Sequence, residues 1–238
     1  MKTLADLKER LEALPARQRS RDHEGRFVEY LAKCAPAKEK MIKAIAAIAV
    51  AAPVLPSGDY RVARKSVNSG AGIASRLAEK LKEDPALISE PKTEESFVRL
   101  IENADAALKK CQSVWMTELH GKIESRQVIA EVVAKLGEGD SSKSLKVPAR
   151  RLKATIDSLV AAQSKLPLTK KEAAEVSENL KDMADSVSKL GLDTPFGKFL
   201  QAAASEQGAA LSDAQAEVVF KQIESLNLAK VFRVHLTS

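Results

Sequence analysis

Between Gly137 and Lys153 the chain reads GEGDSSKSLKVPARRLK, which sets glycines close to a Lys-Ser pair and a run of bases. Glycines that bare backbone N–H groups, followed by Lys-Ser, are the ingredients of a nucleotide phosphate loop. The spacing argues against one. A phosphate loop places the Lys-Ser pair directly after a glycine and behind a buried strand. Here Ser142 precedes Lys143, Gly137 and Gly139 lie farther back, and the preceding ESRQVIAEVVAKL has helical periodicity. Gly137 is expected to stop a helix, Gly139 and Asp140 to turn, and Pro148 to open the next helix. The bases remain: Lys143, Lys146, Arg150, Arg151 and Lys153. They could neutralise phosphates, pair with acids of neighbouring helices, or lie in water. No aromatic is interleaved, so stacking on single-stranded bases has no support. A second basic run, with Arg17, Arg19 and Arg21, offers the same choices near the N-terminus.

Other chemistries find less to stand on. A dimetal site in a helix bundle needs inward-facing Glu-x-x-His pairs, but His23, His120 and His235 each stand alone. No Cys or His spacing suits zinc. No Gly-x-Ser-x-Gly elbow is present, and no triad is brought together by the pattern. Neighbouring acids such as Glu94 and Glu95 read as first-turn charges favoured by the helix dipole. The expectation is a chain with no catalytic residue, no metal and no cofactor. The thiols Cys34 and Cys111 both fall on apolar helical positions and are expected to be buried and reduced.

The elements that must position these residues are helical. Aromatics make up 4% of the 238 residues, and glycine (10) and proline (9) are sparse. A core of Leu, Ile, Val and Ala with few tight turns suits helix-on-helix packing. Leu4, Leu7, Leu11 and Leu14 mark a short helix ending near Pro15, followed by a polar connector, ARQRSRDHEGR. Phe27, Tyr30, Leu31 and Cys34 form the next stripe, and Pro36 is expected to open or kink a helix. Met41 to Ala52 is almost wholly apolar and is expected to be buried on all sides. The uncharged run from Ala44 to Gly58 is shorter than a membrane span and is broken by Pro53 and Pro56.

The longest element begins near Thr93. Phe97, Ile101, Ala104, Leu108, Cys111 and Trp115 step like a heptad seam, continued by Leu119 and Ile123. Leu152, Ile156, Leu159, Gln163 and Leu166, then Ala173, Val176, Leu180, Met183, Val187 and Leu190, supply long neighbours. Thr169 with Glu172 forms a capping box, and Gly191 is placed to end that helix. Spacings near 3.5 predict antiparallel packing of long helices. Beyond Gly191, two shorter helices precede KVFRVHL, whose alternation sets Phe232, Val234 and Leu236 on one side of a strand. Its mate would be DYRVARK, Asp59 to Lys65, or the sheet edge of a partner protein. A winged helix-turn-helix is disfavoured, because residues 191–238 hold four bases against five acids.

The expected fold is therefore all-α: an elongated antiparallel bundle of heptad-like helices with a small C-terminal helical unit ending in a short strand. The expected divisions are a basic helical region over 1–83, a long-helix bundle over 84–190, and the C-terminal unit over 191–238. Residues 1–83 carry 17 basic and 10 acidic side chains, an excess larger than the whole chain's net +6, and a second excess lies around the 143–153 run. No secretory signal is visible and membrane association is not expected, which suggests a cytoplasmic protein. Surplus apolar seam points to a non-enzymatic interaction or scaffolding subunit of a larger bacterial-type assembly, with a protein partner or a second copy covering it. The alternative is a nucleic-acid-binding accessory protein that contacts phosphates through the N-terminal third and the 143–153 cluster.

Overall fold

The computed structural model describes residues 4–136, 143–203 and 213–225. Among them the regular elements are all helical: α1 (Leu4–Val54), α2 (Arg61–Glu83), a 3-10 turn (Pro85–Ser89), α3 (Pro91–Leu136), α4 (Lys143–Gln163), α5 (Lys170–Lys189), α6 (Pro195–Ala203) and α7 (Asp213–Ser225). The all-α class stands. The expected strand with Phe232, Val234 and Leu236 lies outside the described residues, as does the turn at Gly137 and Gly139. DYRVARK is not extended, since α2 begins at Arg61 within it.

Two proline boundaries, Pro15 and Pro148, differ from expectation, and of the two alternatives for Pro36 a newly opened helix is not found. The helix continues through Pro15 and Pro36, and the polar connector between them is helical too. Ala, Arg and Gln in that connector are good helix formers. Pro36 lies on the solvent side, and so does Ala32, whose carbonyl it deprives of a partner. Water can satisfy that carbonyl, so the proline costs stability without ending the helix. Likewise Pro148 is not the first residue of α4 but lies inside it, at the cost of one bond to the Ser144 carbonyl.

The chain divides into two compact units, one of residues 1–49 and 59–113, the other of residues 50–58 and 114–238. In the first unit α1 and α3 run parallel, as their contacts advance together. Tyr30 stacks on Phe97 with ring centroids 4.4 Å apart, Lys40 pairs with Asp105 at 2.5 Å, and the Cys111 thiol lies 3.8 Å from the Ala44 carbonyl. α2 returns antiparallel to both. The facing residues are small: Ala37, Ala44 and Ala47 on α1, and Ala104, Ala107 and Cys111 on α3, all buried. This narrow seam corrects the expected one. Leu100 and Ala107 are buried, whereas Phe97, Ile101 and Leu108 are only half-buried flanks. A helix inside a bundle needs a stripe wider than a strict heptad line. The apolar part of α1 is also not buried on all sides, because Ile42 and Ile45 keep 55% and 52% of their surface exposed.

In the second unit α3, α4 and α5 run antiparallel in turn. The Trp115 indole donates to the Ala162 carbonyl at 2.9 Å, and Arg151 of α4 meets Asp182 of α5 at 2.8 Å. Trp115, Leu119, Ile123, Leu152, Ile156, Leu159, Phe196 and Leu200 fill the core. The ends of α5 form as expected. The Thr169 hydroxyl accepts from the Glu172 N–H, and the Glu172 carboxylate accepts from the Thr169 N–H. At the other end Gly191 takes φ of +66°, a conformation that costs glycine little. Its N–H donates to the Ser188 carbonyl and the Leu192 N–H to the Val187 carbonyl, which is the Schellman pattern. No helix among the described residues is long and apolar enough to cross a membrane.

Candidate binding surfaces

An apolar recess lies in the first unit. It is a groove of about 430 Å3, walled by Phe27, Leu31 and Cys34 of α1 and by Ala74, Ala78 and Leu81 of α2, with Phe97 and Leu100 of α3 beneath. Both walls step 4-3 along their helices, so each presents one continuous row of side chains. Phe27 remains 45% exposed and Leu31 56%. Their neighbour Tyr30 turns inward and is buried, with the Lys33 ammonium 5.7 Å from its ring centroid. The sequence assigns Phe27, Leu31 and Cys34 to a core stripe. Their type is right for a core, but the described residues place no fourth helix over them.

The two thiols therefore differ. Cys111 is fully buried, and burial pushes its thiol up to about 11. Cys34 is half-buried in the groove wall, and its thiol is raised by the same cause. Both are free thiols.

The described bases of the α4 cluster differ in their partners. Arg151 is engaged by Asp182, whose hydrogen bond and charge raise the guanidinium further, with Asp185 adding to the effect. Lys153 is held by Asp157 one turn on, at 3.0 Å. Lys146 and Arg150 are exposed, with no ion-pair partner among the described residues. The side chain of Lys143 lies outside the described residues, as do those of Arg17 and Arg19; Arg21 is exposed on α1.

His120 is exposed, with Nδ1 3.4 Å from the Gln163 amide and Nε2 3.6 Å from Glu124. His23 lies half-buried on α1, and His235 is outside the described residues. Among the described residues no three His, Cys, Asp or Glu side chains come together as a metal site would require. Against this geometry, a scan of protein-family models and searches of curated proteins and of solved structures found no match to the chain.

Proposed function

We propose that this chain is a non-enzymatic interaction or scaffolding subunit of a larger cytoplasmic assembly, and that the α1–α2 groove receives an amphipathic helix of a partner protein. One observation carries the reading: two parallel rows of apolar side chains stand open to solvent, with Phe27 and Leu31 about half exposed. Rows stepping 4-3 on two antiparallel helices offer the holes into which the knobs of a further helix fit. Ala74 and Ala78 make one wall low, so a partner backbone can approach closely, while Phe27 and Leu31 supply contact area. Helix-in-groove recognition uses this geometry.

The test compares the wild-type chain with Leu31→Asp in affinity capture from the native host, with light scattering on the purified protein. The expected result is one discrete partner, retained by wild type and by a control substitution at exposed Val62, and lost with Leu31→Asp. A partner set indifferent to Leu31→Asp, or a monomer that captures nothing, overturns the reading. The alternative of nucleic-acid binding through the N-terminal third and the 143–153 cluster is supported by exposed bases with no ion pair among the described residues, Arg21 in the former and Lys146 and Arg150 in the latter. Retention on heparin that disappears in the double variant Lys146→Gln, Arg150→Gln would favour it.

A further inference from the structure

The first unit holds a second recess, between α2 and α3, and it is polar. Its volume is about 320 Å3, within the range of small-ligand sites. Ser69, Arg76 and Lys80 line it from α2, and Ser96, Arg99 and Asn103 from α3. On each helix these residues are separated by threes, fours or sevens, so each set shares one face. The two faces converge on one cleft that runs from Ser69 to Lys80, in the last turn of α2, and along residues 96–103 in the N-terminal part of α3.

Three cations and no carboxylate line this space. Arg99 has a single ion pair, to Glu95 at 3.9 Å, with both side chains about two-thirds exposed. Arg76 and Lys80 have none among the described residues. Two polar neighbours are fixed by the backbone: the Ser96 hydroxyl donates to the Lys92 carbonyl, and the Asn103 amide to the Arg99 carbonyl. Among the described residues the Ser69 hydroxyl has no hydrogen-bond partner, and Asn103 keeps a second amide proton. Like charges that line one recess repel, and a bound anion removes that cost. Two guanidiniums offer paired donors that match phosphate oxygens, and an ammonium adds a point charge. A recess of this volume exceeds a lone phosphate, and Leu77 gives it an apolar edge.

We propose that the α2–α3 cleft binds a small soluble ligand carrying a multiply charged phosphate, of the pyrophosphate or phosphate-ester class, through Arg76, Lys80 and Arg99. This inference is independent of the apolar groove. The experiment is calorimetric titration of the full chain with inorganic pyrophosphate at fixed ionic strength. Saturable binding at one site per chain is expected, weakened roughly tenfold or more in Arg76→Gln and in Arg99→Gln, the loss of one charge-assisted contact. Lys146→Gln and Arg150→Gln, elsewhere in the chain, should bind as wild type does. Thermal melts establish that each variant is folded, and Lys80→Gln replaces either arginine variant that is not. In parallel, the chain is mixed with phosphatidylcholine vesicles containing phosphatidic acid. Absence of saturable pyrophosphate binding, equal weakening by Lys146→Gln, or capture by vesicles alone overturns the proposal.

Discussion

Gly197, in the first turn of α6, has no room for a side chain, because a Cβ there would overlap the backbone carbonyl of Leu192. The obstruction is main chain held by the Schellman turn at Gly191, so it cannot swing aside as a flexible side chain would. Gly197→Ala gains up to about 1 kcal/mol of helix propensity, but overpacking against fixed backbone costs about 1–3 kcal/mol. A lower denaturation midpoint is therefore expected in urea, where Gly→Ala inside a helix would ordinarily raise it. The thiols give a second prediction at this scale. Cys111 is sealed in the α1–α3 seam and its thiol is pushed to about 11, so neither access nor ionisation favours reaction. Iodoacetamide at pH 8 should label Cys34 first and reach Cys111 only on unfolding, read by peptide mass spectrometry. A groove occupant should protect Cys34.

The ends of α5 are the elements most directly legible in the sequence, because their causes are local. Thr169 and Glu172 close a capping box, and Gly191 supplies the left-handed residue that ends the helix. Glu172 accepts from the Leu168 N–H, pairs with Lys165 and accepts from Thr169, which together bring its carboxyl from 4.5 to about 2. A lowered native value means that the contribution is complete above the usual carboxylate range and is lost as pH falls toward 2. Glu172→Gln should melt below wild type at pH 7, and the gap should close between pH 4.5 and 2; Thr169→Ala should cost about 1 kcal/mol. Proline boundaries were less legible. Whether a proline ends a helix depends on which face it occupies, and that is settled by partners distant in sequence. Pro36 sits on the outer face of a continuous α1, so Pro36→Ala should restore a hydrogen bond and stabilise the chain by roughly 1–3 kcal/mol. A helix break at Pro36 would instead leave the melting temperature unchanged.

At the scale of the whole molecule, the question is which apolar residues the chain covers by itself. Sequence pattern marks Phe27, Leu31, Ala44 and Ala47 alike as inward-facing, because it reads residue type and spacing. It cannot count the helices available to cover them. Small residues let α1 and α3 close on each other, and Ala44 and Ala47 vanish into that contact. Phe27 and Leu31 face the gap between α1 and α2, where a fourth helix would be needed. The basic cluster was left open by the pattern for the same reason: Asp182, on the next helix, pairs with Arg151, one of the outcomes that residue type alone allowed. An open apolar groove on a folded chain has a consequence that requires no knowledge of the partner. Leaving a leucine-sized side chain half in water forgoes about 1 kcal/mol of burial, so an apolar dye that fits the groove should bind the native protein. Anilinonaphthalene sulfonate should give saturable fluorescence at temperatures where the far-ultraviolet signal is still native. Phe27→Asp and Leu31→Asp should abolish most of it, whereas Val147→Asp on α4 should not. Loosely packed folding intermediates also bind this dye, but their signal would rise in destabilised variants such as Gly197→Ala. Fluorescence that follows the groove substitutions and ignores Gly197→Ala therefore marks an apolar surface that the folded chain leaves open.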